Sequence, residues 1–511
     1  MLGILFAQFA PFDYAVGTWF MRNGALSHSG VQALSGAVTG PDLKCSYSGL
    51  TGEGDPLIAD VNGDGLNEIV FSSYSPHTVW VFRGSDCTLL WNRSISSTSW
   101  GTAAVGDMDP GVPGLEIVAT DWDANVYALR GTDGTLLWSR TVGSSYLQSS
   151  VAIYDVNGDG YGEVFVHATD GIYALRATDG STIWYYSTGG RYNSPAVYDV
   201  DMDSEYEVVS ASSSGTLLVL NAATGSLEYS VSLGGSTEGG PSISDIDGDG
   251  DPDIVIGTAG GRVVAVDGPT GTVIWNVSVG DNNRGTPSIY DINADGIKEV
   301  VIGATNGNRI YALRGTDGSV VWSYSQTYSY EQAMARKIGD VDGDTALELV
   351  ITSYGSRVGS GPMFLVLDAA TATVEWTFNV SGDGTEGASI GDVDNDECME
   401  IVVVPDWTSG GGLRVFDSPT PVSGCNVIGY DDPTGSRENV SVKPVHLTVT
   451  RTGRHLTVET GRDVTVSVYS ASGRLVKRLR TSGGTAGVYL PRGVYILKVD
   501  GFNLIRTVIL K

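Results

Sequence analysis

Residues 60–70 read Asp60-Val61-Asn62-Gly63-Asp64-Gly65-Leu66-Asn67-Glu68-Ile69-Val70, and this stretch returns seven more times along the 511-residue chain. Neighbouring copies begin 44 to 52 residues apart, and their first aspartates are Asp60, Asp107, Asp155, Asp199, Asp245, Asp291, Asp340 and Asp392. A period of this length is typical of one four-stranded blade of a β-propeller. The repeat therefore predicts an all-β fold, an eight-bladed propeller.

The second half of each repeat carries an aromatic residue, 15 to 18 residues before the next copy begins. These residues are Trp91, Trp138, Trp184, Tyr229, Trp275, Trp322 and Trp376. A regularly spaced large ring on an outer strand is best explained as a wedge between neighbouring blades. The aromatic series is therefore assigned to packing.

The chain before the first copy supplies a strand without a blade of its own. Leu43-Lys44-Cys45-Ser46-Tyr47 lies where the aromatic strand of a preceding repeat would lie, and blade eight, from about Gly387 to Asp417, lacks such a strand. We expect this N-terminal strand to complete blade eight, because closure removes an edge that would otherwise pair with another chain.

Four cysteines fall near the expected junction of blades eight and one: Cys45, Cys87, Cys398 and Cys425. The preferred pairing is Cys45–Cys425 with Cys87–Cys398. The pairing Cys45–Cys87 with Cys398–Cys425 stays open, since connectivity cannot be read from sequence. Four free buried thiols are the remaining alternative.

The acidic loops are the strongest chemical signal. Oxygen-bearing side chains stand at positions 1, 3, 5 and 9 of every copy except that of blade two, which suits Ca²⁺ because this ion takes six to eight oxygen ligands. The candidate ligands are Asp60, Asn62, Asp64, Glu68, Asp107, Asp109, Glu116, Asp155, Asn157, Asp159, Glu163, Asp199, Asp201, Asp203, Glu207, Asp245, Asp247, Asp249, Asp253, Asp291, Asn293, Asp295, Glu299, Asp340, Asp342, Asp344, Glu348, Asp392, Asp394, Asp396 and Glu400. Several structural calcium ions are expected, although aspartate, asparagine and glycine also cap ordinary turns.

Two features distinguish the copies from one another. In blade two Pro110-Gly111-Val112-Pro113 interrupts the loop and displaces Glu116, so this loop is not expected to bind metal as the others do. In blades four, seven and eight the glycine at position six is replaced by Ser204, Thr345 and Glu397.

The acidic loops, each preceded by an apolar strand such as Pro195-Ala196-Val197-Tyr198, resemble the FG-GAP/VCBS repeats of integrin-α-like propellers over residues 43–417. This resemblance implies a calcium-bearing propeller that serves adhesion, carbohydrate binding or scaffolding outside the cell.

The tryptophan half is similar to the docking motif of eight-bladed quinoprotein (PQQ) dehydrogenases and of the outer-membrane assembly propeller of the same fold. The residues that carry it are Tyr127-Ala128-Leu129-Arg130-Gly131-Thr132-Asp133-Gly134, followed by Trp138. The resemblance supports eight blades. It does not imply dehydrogenase activity, because the vicinal cysteine pair of those dehydrogenases is missing from this sequence. No catalytic residue is assigned, and the chain is predicted not to be an enzyme.

The C-terminal stretch resembles the type IX secretion sorting domain, a small Ig-like β-sandwich that directs export. Its marks are Gly473-Arg474 and Gly493-Val494-Tyr495. The predicted organisation is an N-terminal segment (1–42, a signal remnant or donor strand), the propeller (43–417), a linker (418–439) and the C-terminal β-sandwich (440–511).

The C-terminal region differs from the rest of the chain in the sign of its net charge. The whole chain has a net charge of −29, whereas from Arg437 onward there are 13 basic and 4 acidic residues. The acidic excess argues against a nucleic-acid partner, and no apolar run is long enough for a transmembrane segment. Sequons place possible glycosylation at Asn92, Asn276, Asn379 and Asn439.

The function expected from these features is that of an extracellular, calcium-stabilised cell-surface adhesion, binding or structural protein. Its partner would be a glycan or protein ligand, and Trp100 and Trp122 are candidates for stacking on sugar rings. The alternative is a subunit of an extracellular filament or surface layer, built from copies of this chain through the basic C-terminal domain. A PQQ-type dehydrogenase and a polysaccharide lyase are ranked below both.

Overall fold

The computed structural model describes residues 31–418 except 33, 53, 145, 191–192, 281–282, 284, 305–308, 326–332, 354–363, 379–384 and 406–411, together with residue 425 and seven strands between 448 and 510. The described residues form 39 β-strands and no helix. Among them, therefore, no helix is long and apolar enough to cross a membrane.

Eight four-stranded antiparallel sheets account for most of these strands. Blade 1 contains β2 (Leu57–Ala59), β3 (Glu68–Ser72), β4 (Thr78–Arg83) and β5 (Leu89–Ser94), and blade 2 contains β6 (Ala104–Gly106), β7 (Glu116–Thr120), β8 (Asn125–Arg130) and β9 (Leu136–Thr141). Blade 3 contains β10 (Ala152–Tyr154), β11 (Glu163–Ala168), β12 (Gly171–Arg176) and β13 (Thr182–Ser187), and blade 4 contains β14 (Ala196–Tyr198), β15 (Glu207–Ala211), β16 (Thr216–Asn221) and β17 (Leu227–Ser232).

The remaining blades repeat the pattern. Blade 5 contains β18 (Ser242–Ser244), β19 (Asp253–Gly257), β20 (Arg262–Asp267) and β21 (Val273–Ser278), and blade 6 contains β22 (Ser288–Tyr290), β23 (Glu299–Ala304), β24 (Arg309–Arg314) and β25 (Val320–Ser325). Blade 7 contains β26 (Ala333–Gly339), β27 (Glu348–Ser353), β28 (Phe364–Asp368) and β29 (Val374–Phe378), and blade 8 contains β30 (Thr385–Gly391), β31 (Glu400–Pro405), β32 (Gly412–Phe416) and β1 (Leu43–Ser48). The eight-bladed propeller is confirmed.

The ring closes through the N-terminal strand, as predicted. β1 pairs antiparallel with β32, with Cys45 opposite Val415 and Tyr47 opposite Leu413. The first strand of each blade contacts the first strands of both neighbouring blades, and this order returns from β30 to β2. A closed ring leaves no free sheet edge between the first and last blades.

Burial explains which residues form which strand. Second strands such as β3, Glu-Ile-Val-Phe-Ser, are buried along their whole length because a neighbouring blade covers each face. Outer strands such as β17 alternate between exposed and half-buried residues, since only one face meets the next blade. The core is therefore the series of apolar layers between adjacent blades.

The aromatic series packs between blades, as predicted. The Trp184 indole N–H donates a hydrogen bond to the Ala222 carbonyl oxygen of the next blade at 2.7 Å, and Trp91 bonds Gly131 in the same way at 2.7 Å. Below the Trp184 ring lies Gly225, whose φ is 73° and whose Cβ would lie 2.6 Å from the ring. Only glycine adopts this left-handed turn without strain and leaves room for the ring.

The disulfides correct the preferred pairing. Cys45 is bonded to Cys87 and Cys398 to Cys425, which is the alternative that the sequence left open. The reason is the closing register, which places Cys45 of β1 beside the turn after β4 in blade 1. No free cysteine remains, and both disulfides indicate an oxidising, non-cytoplasmic compartment.

Part of the N-terminal segment contacts blades 7 and 8. The backbone N–H groups of Gln32, Gly36 and Val38 donate to carbonyl oxygens of blade 7, and Met399 N–H donates to the Ser35 carbonyl oxygen at 3.0 Å. Residues 1–30, where a signal remnant or donor strand was predicted, lie outside the described residues.

The C-terminal strands belong to a compact unit separate from the propeller. One sheet joins β33 (Thr448–Thr452), β34 (His455–Glu459) and β37 (Thr485–Tyr489). The other joins β36 (Leu475–Arg480), β35 (Thr465–Ser470), β38 (Gly493–Val499) and β39 (Ile505–Leu510). Both sheets lie within residues 440–511, for which the β-sandwich, Ig-like and sorting-domain assignments stay predictions.

Candidate metal centres

Each acidic loop connects the first and second strands of its blade and is shaped by its own carboxylates. In loop 1 the Asp60 carboxylate accepts hydrogen bonds from the backbone N–H groups of Gly63, Asp64 and Gly65 at 2.7 to 3.1 Å. Position six has a positive φ, 89° at Gly65. Ser204, Thr345 and Glu397 adopt the same conformation with φ of 77°, 78° and 68°, although left-handed backbone is unfavourable for residues other than glycine.

The carboxyl group at position nine, or at position ten in loop 2, is buried in every loop. One of its oxygens accepts the backbone N–H of position two, as in Glu348 with Val341 at 2.7 Å. Glu116 takes this place in loop 2 as well, with Met108 N–H at 2.7 Å, because the proline-rich insertion is accommodated before β7 begins. Glu116 follows one residue later in the sequence than position nine, and it reaches the equivalent place at the start of β7.

The second oxygen at position nine divides the loops into two classes. Where position three is asparagine, its side-chain N–H donates to this oxygen, at 2.8 Å from Asn62 to Glu68, 2.6 Å from Asn157 to Glu163 and 3.1 Å from Asn293 to Glu299. Where position three is aspartate, this oxygen has no hydrogen-bond partner among the described residues; the groups concerned are Glu116, Glu207, Asp253, Glu348 and Glu400. We call loops 1, 3 and 6 the asparagine loops and loops 4, 5, 7 and 8 the aspartate loops. Loop 2 belongs to neither, because Gly111 stands at its position five, where the other loops have aspartate.

The pKa values follow the same division. Burial raises the pKa of Glu68 and Glu163 to about 7, and backbone hydrogen bonds partly oppose this rise. In the aspartate loops burial, strengthened by the neighbouring carboxylates, raises the pKa of Glu207 and Glu348 to about 9 and that of Asp253 to about 8. A buried carboxyl without a partner holds its proton unless a cation replaces it.

Clusters of carboxylate oxygens that can hold a metal ion lie in all four aspartate loops. Within each cluster the oxygen atoms lie within 4.8 Å of one another: Asp199, Asp201, Asp203; Asp245, Asp247, Asp249; Asp340, Asp342, Asp344; and Asp392, Asp394, Glu400. The unpartnered buried oxygen at position nine is the further observation that favours a cation there. An oxygen-only donor set fits a hard cation.

The remaining predicted site residues lie apart from the loops. Asn92 and Asn276 are exposed on outer strands, and the Asn276 side-chain oxygen accepts a hydrogen bond from Arg262 at 3.1 Å. Asn379 and Asn439 lie outside the described residues.

The inner ring of the propeller is lined by small polar residues. Hydroxyl groups connect adjacent blades there: Asp55 N–H donates to Thr102 at 3.0 Å, Thr102 N–H to Ser150 at 3.1 Å and Ser150 N–H to Ser194 at 2.9 Å. The Lys337 ammonium group is fully buried and forms an ion pair with Asp55 at 2.7 Å.

Comparison with known proteins places this architecture in a family. The family model described as outer membrane protein assembly factor BamB (PQQ_2) matches residues 66–204, 123–297 and 204–394. The chain belongs to the BamB family. No curated protein sequence matches it.

Solved structures share the fold of this BamB-family propeller at low identity. A europium-containing methanol dehydrogenase matches with a TM-score of 0.59 and 13% identity over 79% of this chain and 99% of its own. A quinohemoprotein alcohol dehydrogenase from Comamonas testosteroni matches with a TM-score of 0.57 and 13% identity over 81% of this chain and 83% of its own. Sqt1 from Saccharomyces cerevisiae matches with a TM-score of 0.55 and 11% identity over 75% of this chain and 100% of its own.

These findings correct the function expected from the sequence. The expectation of a cell-surface adhesion or structural protein, with a filament subunit as its alternative, is wrong, because the family match points to a PQQ-type propeller, which had been ranked lower. The family is the BamB-type one rather than the FG-GAP one. The acidic half of the repeat indicated an adhesion protein. The tryptophan half, with its hydrogen bonds between blades, indicated the quinoprotein-type propeller.

The inner-ring residues Thr102, Ser150 and Ser194, with the Lys337–Asp55 ion pair, do not fit pyrroloquinoline quinone, the cofactor of the quinoprotein dehydrogenases that this fold resembles. The group is a planar tricarboxylate, which calls for cations and flat stacking surfaces. The buried Lys337 at the ring is already paired with Asp55. The two disulfides join residues 42 and 27 positions apart, so neither is vicinal. A shared fold alone does not decide whether the chain is an enzyme.

Proposed function

We propose that this chain is a non-catalytic, calcium-stabilised assembly factor of the BamB family, a rigid ring that docks other polypeptides. The observation that carries the proposal is the family match over residues 66–394, joined to an inner ring that does not fit the quinone cofactor. The assembly of outer membrane proteins is the process in the family's description. An extracytoplasmic location, cell surface included, is consistent with both disulfides.

Calcium is the ion we assign to the loops. Carboxylate, amide and backbone oxygens are its ligands, and affinity rises with the number of ligand charges. The aspartate loops offer four carboxylates each, as in Asp340, Asp342, Asp344 and Glu348, and the asparagine loops offer three. We therefore expect the aspartate loops to fill first.

Two measurements test the proposed function. Equilibrium dialysis with pyrroloquinoline quinone and calcium, followed by a dye-linked alcohol oxidation assay, should show neither binding nor turnover. In native cells, deletion of the gene should lower the amount of outer membrane proteins, and re-expression should restore it. Stoichiometric quinone binding with turnover, or unchanged outer membrane proteins, would overturn the proposal.

A further inference from the structure

Four aromatic residues lie on the face of the propeller opposite the acidic loops. Tyr74 and Trp122 lie in the turns between the second and third strands of blades 1 and 2. Trp100 and Tyr146 lie in the connections that lead into blades 2 and 3. Because antiparallel strands alternate in direction, these segments lie at the other end of the strands from the acidic loops. We call the four residues the aromatic surface.

The rings of the aromatic surface contact one another in a line. The ring centroids are 6.1 Å apart between Tyr74 and Trp100, 4.8 Å between Trp100 and Trp122, and 5.2 Å between Trp122 and Tyr146. Backbone hydrogen bonds hold the segments together: Trp122 N–H donates to the Thr98 carbonyl oxygen at 2.8 Å and Tyr146 N–H to the Trp122 carbonyl oxygen at 2.6 Å. The line is therefore a fixed surface that spans two blades.

Equivalent positions in two other blades show that the fold does not need a tryptophan at the position of Trp122. Ser213 N–H donates to the Gly189 carbonyl oxygen at 2.8 Å and Ala259 N–H to the Ser236 carbonyl oxygen at 2.7 Å, in the same turn and with the same pattern as Trp122. Small side chains are thus sufficient for this turn in blades 4 and 5. The tryptophan in blade 2 requires another explanation.

Exposure and backbone conformation at Tyr146 point to binding. Its side chain is 44% exposed, and its φ is 59°, a left-handed conformation that is unfavourable for a bulky residue. Strained residues persist where the surrounding structure holds them, and they concentrate at binding sites. Tyrosine and tryptophan are also the residues that contribute most to protein–protein binding.

The charge around the aromatic surface indicates the kind of partner. Asp123, next to Trp122, is exposed, and so is Asp170, which accepts a hydrogen bond from Tyr173 at 2.9 Å. The Tyr173 hydroxyl in turn accepts the N–H of Gly143, in the same connection as Tyr146, at 3.2 Å. Both carboxylates thus flank the rings, on a chain of net charge −29. Complementary potentials favour a basic partner.

We infer that the aromatic surface is the docking site for a polypeptide segment with an apolar or aromatic anchor flanked by lysine or arginine. The anchor packs against Trp122 and Tyr146, and its basic neighbours face Asp123 and Asp170. This inference rests on the proposed docking function and assigns it to one surface and one class of partner.

The test selects a random twelve-residue peptide phage library on the full chain in calcium. Enriched sequences are then synthesised and their affinities measured for the wild type, Trp122→Ser and Tyr146→Asn. Serine reproduces the residue found in blade 4, and asparagine tolerates positive φ, so both variants should fold. Tyr161→Ser, a 39% exposed aromatic residue in acidic loop 3 on the other face, is the matched control.

The expected result is a basic, anchor-containing peptide whose affinity falls at least tenfold in Trp122→Ser and Tyr146→Asn and is unchanged in Tyr161→Ser. Acidic enriched sequences would overturn the assigned partner, as would displacement of the peptide by cellohexaose. Enriched peptides that bind all variants equally would contradict the assignment to the aromatic surface, but the proposed docking function would still stand. If the selection yielded no binding peptide and deletion of the gene left outer membrane proteins unaffected, both the docking surface and the proposed function would be contradicted.

Discussion

The indole N–H of Trp184 reaches out of its own blade and donates to the carbonyl oxygen of Ala222, 2.7 Å away in the next. Blade 4 has Tyr229 at the same position, and its hydroxyl group donates to the Gly268 carbonyl oxygen at 2.5 Å. Two different side chains thus make one kind of bond between blades, whereas the Trp376 indole N–H has no hydrogen-bond partner among the described residues.

Replacement of Trp184 by phenylalanine should lower the free energy of unfolding by about 1–3 kcal/mol, since a buried carbonyl oxygen loses its donor. Thermal unfolding in calcium measures this. Tyr229→Phe removes the same bond with almost no change in volume and should behave alike. If Tyr229→Phe were as stable as the wild type, packing alone would explain the aromatic series.

Chelation tests the metal assignment for the whole propeller. A cation that binds only the folded loops stabilises them by linkage, by about 2.7 kcal/mol for a site at one hundred times its dissociation constant. EDTA should therefore lower the melting temperature substantially, and calcium should restore it. Calcium titration by calorimetry should show a tighter class of sites for the aspartate loops than for the asparagine loops. A melting curve indifferent to EDTA would contradict the assignment.

A single loop allows a sharper test. Glu348 has one carboxyl oxygen bonded to Val341 N–H and the other without a partner among the described residues. In the chelated protein the buried Glu348 must take up a proton to fold, because its pKa rises from 4.5 to about 9. Glu348→Gln is neutral in both states and removes this cost, so it should stabilise the chelated protein at neutral pH by about 1–3 kcal/mol. The same change removes a calcium ligand and should reduce the stabilisation that calcium provides.

The matched change in an asparagine loop should have the opposite effect after chelation. Both oxygens of Glu163 already accept hydrogen bonds, from Val156 N–H and the Asn157 side chain. A glutamine there leaves one donor without an acceptor. Glu163→Gln should therefore destabilise the chelated protein, and equal effects of the two variants would contradict the division into two classes of loop.

Most of this architecture was predictable from the sequence, because each blade repeats the same short sequence pattern. The acidic loop before a buried strand, the inter-blade tryptophan and the closing strand Leu43–Ser48 are patterns of short range, and the structure confirms all three. The cysteine pairing was not predictable, since it depends on which side chain of β1 faces blade 1. The sequence shows that asparagine alternates with aspartate at position three. That Asn62 donates to Glu68 can be recognised only from the geometry of the loop.

The disulfide between Cys45 and Cys87 should control ring closure. It joins the strand that completes blade 8 to blade 1, across 42 residues of sequence. A cross-link over a loop of this size contributes about 3–4 kcal/mol in the chain-entropy account. Cys45→Ser with Cys87→Ser should therefore lower stability by this order and increase hydrogen exchange in β1 and β32. Cys398→Ser with Cys425→Ser is the control, and it should leave exchange in β1 unchanged because that bond lies outside the β1–β32 pair.

The pH dependence of stability should reverse with calcium. In the metal-free protein, burial raises the pKa of Glu207 and Glu348 to about 9, against an ordinary value of 4.5. The folded state then binds protons more tightly than the unfolded state, so these groups make the protein less stable as the pH rises from about 5 to 9. Melting temperatures in EDTA should fall over this range. In excess calcium the cation replaces the protons and binds more tightly as the carboxyl groups ionise, so stability should hold or rise. A melting temperature in EDTA that increases from pH 5 to 9 would show that these carboxyl groups are not held protonated in the fold.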